Sequence, residues 1–313
     1  MIALAENERG RPLAKYLLCR PQGGLNDILV QIEKCCQYGD RFGRKVVVDT
    51  AYKYSYNFHE KFSTYFESKD ENIVLDATEY LQGFESLSVY PHCLQGKLNE
   101  YNAYWKDINS NFVIAEGELT IPTGFDLNIA FKEDLLVHHQ VGGGHQSSLL
   151  GRRFKLTQSM FDELVHRLDL IGGEFDAAHV RHTDMQSNYS EAIDKLQTLN
   201  FTKLFLATDN KVILEIFRNA FPDKNIISFS HLPEIDGQPI HFGNTSVPIS
   251  IANKEAILDL FTLTFAKTLT LCRALDVAYS EYSGYSMLAK SLHEDRAKLI
   301  AFFPKQAFVD QVT

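Results

Sequence analysis

Residues 15–49 open on Lys15-Tyr-Leu-Leu-Cys19, turn through Arg20-Pro-Gln-Gly-Gly24, and enter Leu25-Asn-Asp27 with apolar positions following at Ile28, Leu29, Ile32, Cys35 and Cys36. The stretch closes on Lys45-Val-Val-Val-Asp49. The first segment is a short apolar run that stops at a Gly-rich turn. The apolar positions after the turn recur near every 3.6 residues, which predicts a helix. The β-branched run beyond it, flanked by turn residues, predicts a buried strand. Strand, loop, helix and strand in that order form the unit of a parallel α/β sheet.

The second half of the chain alternates in the same way. Helical patterns cover Phe161 to Leu170, Lys211 to Phe221, Glu255 to Ala266 and Ser286 to Phe302. Strand patterns cover Phe175 to Arg181, Leu204 to Thr208, Asn225 to Phe229 and Thr268 to Cys272. Alternation of this kind predicts a second parallel sheet. The expected architecture is α/β, with two Rossmann-like domains and a cleft between them. The break is expected between Gly142-Gly-Gly144 and Thr157, giving an N-terminal domain over 1–150 and a C-terminal domain over 151–290. The last stretch, 291–313, is expected to be a helix crossing back to the first domain. Residues 51–130 are dense in aromatics, including Tyr52, Tyr54, Tyr56, Phe58, Phe62, Tyr65 and Phe66, and their periodicity is poor. Short helices, loops and a few strands are expected there, with most rings used in packing. Residues 231–253 read as a long irregular stretch, and a loop of that length is usually functional.

Composition narrows the function classes. Lys and Arg number 31 against 40 Asp and Glu, a formal charge of −9. An acidic chain is a poor general partner for nucleic acid, because phosphate contacts need clustered cations. A single anionic ligand can still be held by one local arginine. No apolar run approaches the ~18 residues of a membrane span. Glu6 and Glu8 interrupt the region where a signal peptide would carry its apolar core, so the chain reads as cytoplasmic. The five cysteines, Cys19, Cys35, Cys36, Cys93 and Cys272, are odd in number and include no C-x-x-C pair. They read as buried free thiols rather than disulfides or a zinc site.

Several standard sites are absent from the sequence: the Walker phosphate loop, H-E-x-x-H and G-x-S-x-G. There is no Asp-x-Asp, and Glu234-Ile-Asp236 is the nearest approach to a metal-holding pair. The strongest constellation is His179-Val-Arg-His-Thr-Asp184, where a strand leaves the sheet at its carboxyl edge. Ligands of open α/β sheets bind at that edge. Arg181 offers a planar fork for phosphate oxygens. His179 can hydrogen-bond a base or phosphate, and Asp184 can orient Arg181. The plain alternative is a strand-end Arg181–Asp184 salt bridge with surface histidines. Asp209 follows the next strand at the same edge. Ser283-Gly-Tyr-Ser286, inside Ser280–Ser286, precedes a helix. It can form an anion site from free N–H groups and hydroxyls, or serve as an ordinary N-cap. Asp259 can accept from a purine or be a solvated helix residue. Gly23 and Gly24 can let the backbone approach a ligand, or make a tight β–α turn.

The set Gly23-Gly-Leu-Asn-Asp27, His179-Val-Arg-His-Thr-Asp184, Ala207-Thr-Asp209, Asp259-Leu-Phe-Thr-Leu and Ser283-Gly-Tyr-Ser286 resembles, in order, the motifs of the GDP-fucose-dependent fucosyltransferase superfamily. That group includes NodZ-like, core α1,6- and protein O-fucosyltransferases and bacterial α1,2 enzymes. The resemblance lies mostly over residues 175–290, with one anchor near 20–50. It implies a GT-B fold, an inverting mechanism and no cofactor or obligatory metal. It implies that Arg181 holds the donor's β-phosphate and that His179 and Asp259 lie near guanine. Asp209, Ser283, Gly284 and Ser286 complete the donor side with Asp184, and Gly23, Gly24 and Asn26 bring the N-terminal loop to it. The catalytic set is Arg181 with a base for the acceptor hydroxyl, for which Asp27 and His182 are the two candidates. His182 stands where the family often carries a second arginine, and residues 273–282 look like added length. The implied partners are a GDP-sugar donor and a glycan or lipid-linked glycan acceptor, with a peripheral membrane contact and no nucleic acid. The implied role is a fucosyl transfer in surface polysaccharide biosynthesis. The alternative is a non-catalytic GT-B-like protein that binds a nucleotide or a partner.

Overall fold

A computed structural model describes residues 14–55, 58–232, 247–275 and 281–304. The chain divides into two compact units, Met1–Lys155 and Leu156–Thr313. Tyr56, the Glu234–Asp236 pair, Ser280 and the N-terminal residues Glu6 and Glu8 lie outside the described residues, as does most of the 231–253 stretch.

The first unit begins with β1 (Lys15–Cys19), α1 (Leu25–Phe42) and β2 (Arg44–Val48), as the opening stretch of sequence predicts. Helix α1 starts where Asp27 turns back to accept the Gly24 N–H at 3.3 Å. It ends at Gly43, whose φ of 65° is a left-handed conformation that suits glycine. Ile28, Leu29, Ile32, Cys35 and Cys36 form its buried face. The aromatic region then supplies β3 (Phe66–Ser68), β4 (Ile73–Val74), α2 (Leu81–Phe84) and β5 (Val89–Tyr90). It continues into an antiparallel sheet of β6 (Tyr104–Asp107), β7 (Asn111–Glu116) and β8 (Leu119–Pro122), followed by β9 (Leu135–His138). The main sheet is parallel in the order β4-β2-β1-β9-β5. The central strand is β1, and its neighbour opposite β2 is β9, whose Leu-Leu-Val-His run was not among the expected strands. Phe58, Phe62, Tyr65 and Phe66 are buried, so these aromatics pack as expected, whereas Tyr54, Tyr104 and Trp105 are exposed.

Strand β10 (Phe154–Leu156) pairs with β3 at the end of the first unit, and the second unit opens with α3 (Gln158–Ile171) and β11 (Asp176–Val180). Then follow α4 (Tyr189–Gln197), β12 (Lys203–Thr208), α5 (Lys211–Ala220) and β13 (Asn225–Ile227). After α6 (Ile249–Thr264) come β14 (Leu269–Leu271), α7 (Gly284–Glu294) and α8 (Arg296–Ile300). The sheet is parallel in the order β13-β12-β11-β14. Helix α6 starts six residues before the predicted Glu255, directly after Pro248. The expected single helix over 286–302 is two, because Asp295 leaves helical geometry and caps α8 through the Lys298 N–H. Phe302 and Phe303 beyond it pack on Phe161 and Phe261 of the same unit.

Candidate functional site

In the second unit the parallel register brings the ends of β11, β12 and β14 to one edge. His179 is the penultimate residue of β11 and is buried. Its Nδ1 lies 2.7 Å from the Ser286 hydroxyl, and its ring meets that of Tyr285 at a tilt of 37°, centroids 4.7 Å apart. These contacts dock the first turn of α7 against the strand end. Ser283 caps that turn, its hydroxyl accepting the Ser286 N–H at 3.1 Å. Ser283 therefore is the N-cap that the sequence allowed, and Gly284 is the first residue of α7. Burial, aided by the Arg181 cation, pushes the His179 pKa down to about 3, so the ring is neutral at pH 7.

Arg181 leaves the sheet one residue beyond β11. Its fork holds both oxygens of Asp184, with Nη2 at 2.6 and 2.8 Å and Nε at 3.0 Å. About a quarter of the Arg181 side chain and a third of that of Asp184 remain exposed. Asp209, at the end of β12, shapes the loop between them. It accepts from the His182 backbone N–H at 2.7 Å and from the Thr183 hydroxyl at 2.6 Å. Burial raises its pKa. The His182 ring accepts from the Ser187 N–H through Nδ1 at 3.3 Å and meets Tyr189 edge-on. Asp184, Arg181, His182 and Asp209 thus form one connected cluster at the strand edge, with Thr183 as a member that the sequence did not single out.

Asp259 is not a solvated helix residue. It is buried in α6, accepting from Arg167 Nη1 at 2.7 Å and the Ser230 hydroxyl at 2.6 Å. Burial pushes its pKa up to about 6, against the opposing pull of Arg167. The adjacent Tyr285 hydroxyl donates to the Ala256 carbonyl, so α6 and α7 are tied beside this pair. Arg167 and Ser230 lie on separate elements, and nothing in their sequence spacing marks them.

In the first unit, Gly23 has φ +104°, and a Cβ there would come within 2.7 Å of Val141. The turn itself requires this glycine. Asn26 is buried, donating to the Gly144 carbonyl at 3.4 Å and accepting from Ser147 at 2.7 Å. It ties α1 to the 142–147 loop, together with Gln31, which donates to Gly142 O at 2.6 Å. Asp27 caps α1. The residues missed by sequence reasoning are Arg20, Asp49, His138 and His139. Arg20 is fully buried, donating to Asp49 at 2.8 Å and to the Leu98 carbonyl at 2.6 Å. His139 accepts or donates at 2.9 Å with the Tyr101 hydroxyl, and His138 does so with Gln31. Burial pushes the His138 pKa down to about 4. Among the described residues, no three His, Cys, Asp or Glu side chains are grouped so as to hold a metal ion. No helix among them is long and apolar enough to cross a membrane.

No protein-family model and no curated protein matches the chain. Solved structures do. A NodZ α-1,6-fucosyltransferase co-crystallized with GDP matches at 16% identity and a TM-score of 0.59, over 88% of this chain and 92% of that one. The fucosyltransferase NodZ from Bradyrhizobium matches at 15% and 0.58, over 88% and 92%. POFUT1 in complex with GDP-fucose matches at 12% and 0.51, over 88% and 93%. At these identities the likeness is one of fold. The chain has the fold of these GT-B fucosyltransferases, the fold class expected from its sequence.

Proposed function

We propose that the chain is a glycosyltransferase that moves a hexose, L-fucose foremost, from a GDP-sugar to a glycan hydroxyl. The second unit is the donor side and the first the acceptor side. The observation that carries this reading is the Arg181 fork at the carboxyl edge of β11, beside the capped first turn of α7 that His179 holds in place. Asp184 is a carboxylate presented to Arg181 in the geometry that a phosphate would take. In the reaction a GDP β-phosphate displaces it. The acceptor oxygen then bonds to the anomeric carbon as the bond from that carbon to the phosphate oxygen breaks, and the electron pair leaves with GDP. Arg181 and the N–H groups opening α7 stabilise that developing charge. No metal takes part, and the anomeric configuration inverts. The hydroxyl proton passes to Asp27 or His182. The neutral His179 ring and the Asp259–Arg167 pair shape the base side of the donor site. The acceptor is a surface glycan or its lipid-linked precursor, met at the cytoplasmic membrane face.

The test is a thermal-shift panel of GDP, UDP and CDP with and without EDTA, followed by transfer from GDP-fucose. The expected result is a GDP-selective rise in Tm that EDTA leaves unchanged. At a ligand concentration of about 100 Kd the stabilisation is about 2.7 kcal/mol. A GDP shift abolished by EDTA overturns the metal-independent reading. GDP binding without transfer or hydrolysis of any GDP-sugar favours the non-catalytic alternative.

A further inference from the structure

The first unit contains a hollow of about 370 Å³ at the carboxyl end of β2, which no step above uses. We propose that it is a monosaccharide subsite that takes one ring of the acceptor; its naming as an acceptor site rests on the transferase reading. The volume is at the small end of the roughly 300–1,000 Å³ of ligand pockets, which suits one pyranose better than an extended nucleotide.

The lining has the chemistry of a sugar site. Asp49, Asp76, Lys53, Lys61 and Asn99 line it with apolar wall between them, and the buried Tyr52 backs it. A pyranose carries hydroxyls round its rim and C–H groups on its faces, so it needs acceptors, donors and apolar surface together. Asp49 is the central group. Its side chain is only 7% exposed, and Arg20 Nε engages Oδ2 at 2.8 Å. Its Oδ1 takes no hydrogen bond from a described residue. A sugar hydroxyl that reaches this carboxylate adds a charge-assisted hydrogen bond to it. Asp76 is held by the Thr78 N–H and hydroxyl and by Lys61 at 2.8 Å, which fixes a second acceptor and a donor at the rim. Asn99 donates to Glu85 at 2.9 Å, leaving its carbonyl oxygen as an acceptor.

Arg20 is the positioning residue of this hollow. It is fully buried, it holds Asp49, and its guanidinium carbon lies 3.6 Å from the Tyr52 ring centroid. One side chain therefore fixes both a polar and an aromatic element of the lining, the preorganisation that a small site requires. A phosphate is a poorer fit. Asp49 and Asp76 balance the lining cations Lys53 and Lys61, so the hollow offers no net positive charge to a phosphate.

Saturation-transfer NMR tests the proposal, with the full chain and methyl glycosides of glucose, galactose, mannose and N-acetylglucosamine as probes. Ala51→Trp fills the hollow from an exposed position, so the fold survives it. Asn99→Ala removes a rim group. The expected result is saturation of at least one glycoside by the natural chain, none by Ala51→Trp, and a Kd weakened about tenfold by Asn99→Ala. GDP thermal shifts run on the same samples are expected to be equal. The proposal falls if no glycoside is saturated, if Ala51→Trp leaves the signal intact, or if GDP or inorganic phosphate displaces the glycoside. A glycoside signal without a GDP shift supports the sugar subsite and sinks the transferase reading. A GDP shift without any glycoside signal does the reverse.

Discussion

Each unit places an arginine immediately after a central strand of its sheet, Arg20 after β1 and Arg181 after β11, and the two have opposite fates. Arg20 is sealed in, paired with Asp49 of the neighbouring strand end, bonded to Leu98 O and covered by Tyr52. Arg181 is partly open and held by a carboxylate three residues along the same loop. A buried pair between distant residues is part of the fold, because breaking it strands a charge away from water. A local, partly exposed pair costs little to open. The position after a parallel strand does not by itself make an arginine functional. The source of its counter-ion sets how readily its charge can be reached.

The strongest way to break this contrast is Arg20→Ala. It leaves Asp49 buried without its partner, and an expected loss of about 3–5 kcal/mol would be read from the urea midpoint. A loss under about 1 kcal/mol would put Arg20 in the same class as Arg181. The converse variant, Arg181→Ala, is expected to keep its Tm while transfer falls on the order of 10²–10³-fold and the GDP shift disappears. Arg181→Lys should recover only part, because an ammonium cannot reproduce the fork. Near-natural turnover by Arg181→Ala would remove the donor site from this edge.

A pH experiment sharpens the comparison. His179 has its folded pKa depressed to about 3, and the unfolded ring protonates near 6.5. Its contribution to stability is therefore complete above pH 6.5 and is lost as pH falls from there toward 3, at up to about 1.4 kcal/mol per pH unit. Denaturation at pH 7.5 and pH 5 should show this slope reduced in His179→Gln, and equal slopes would mean that the ring is not held neutral. The smallest effect is expected from Ser283→Ala. Loss of the N-cap should lower stability by about 1 kcal/mol and weaken GDP less than Arg181→Ala does. A Ser283→Ala effect on GDP equal to that of Arg181→Ala would make the hydroxyl a ligand rather than a cap.

The legible parts of the chain were those whose signal is local. The β1–α1–β2 unit carries a 3.6-residue period and a Val-Val-Val run, and each is decided within its own segment. The same holds for β11 and its His-Val-Arg-His-Thr-Asp exit, where Arg181 and Asp184 are three residues apart. Strand β9 was missed because Leu135-Leu-Val137 is too short to distinguish a strand from packed loop. Its place beside β1 is set by pairing across more than a hundred residues. The aromatic region gave no period because its strands β3 to β5 are two or three residues long. Arg167, Ser230 and Asp259 meet from three elements, and Arg20, Asp49 and Tyr52 from two strand ends and a loop. No spacing rule connects such sets, so the sequence left Asp259 open between a base-facing and a solvated carboxylate, and only the fold shows it buried against Arg167 and Ser230. The serine pair was ambiguous for another reason, since an N-cap and an anion site use the same residues at the same helix end.

The distribution of sulfur gives the molecule two built-in clocks. Cys19 on β1 and Cys35 and Cys36 on α1 are buried in the first unit, and Cys272 is buried in the second. Burial holds the two helix thiols well above their ordinary pKa and pushes that of Cys272 up to about 12. Alkylation needs a thiolate that a reagent can reach. Each of these sulfurs reacts when its surroundings open, whereas half-buried Cys93 serves as an early reference in the same chain. Pulsed alkylation followed by peptide mass analysis therefore times the opening of each half separately, with no engineered label and no dependence on activity.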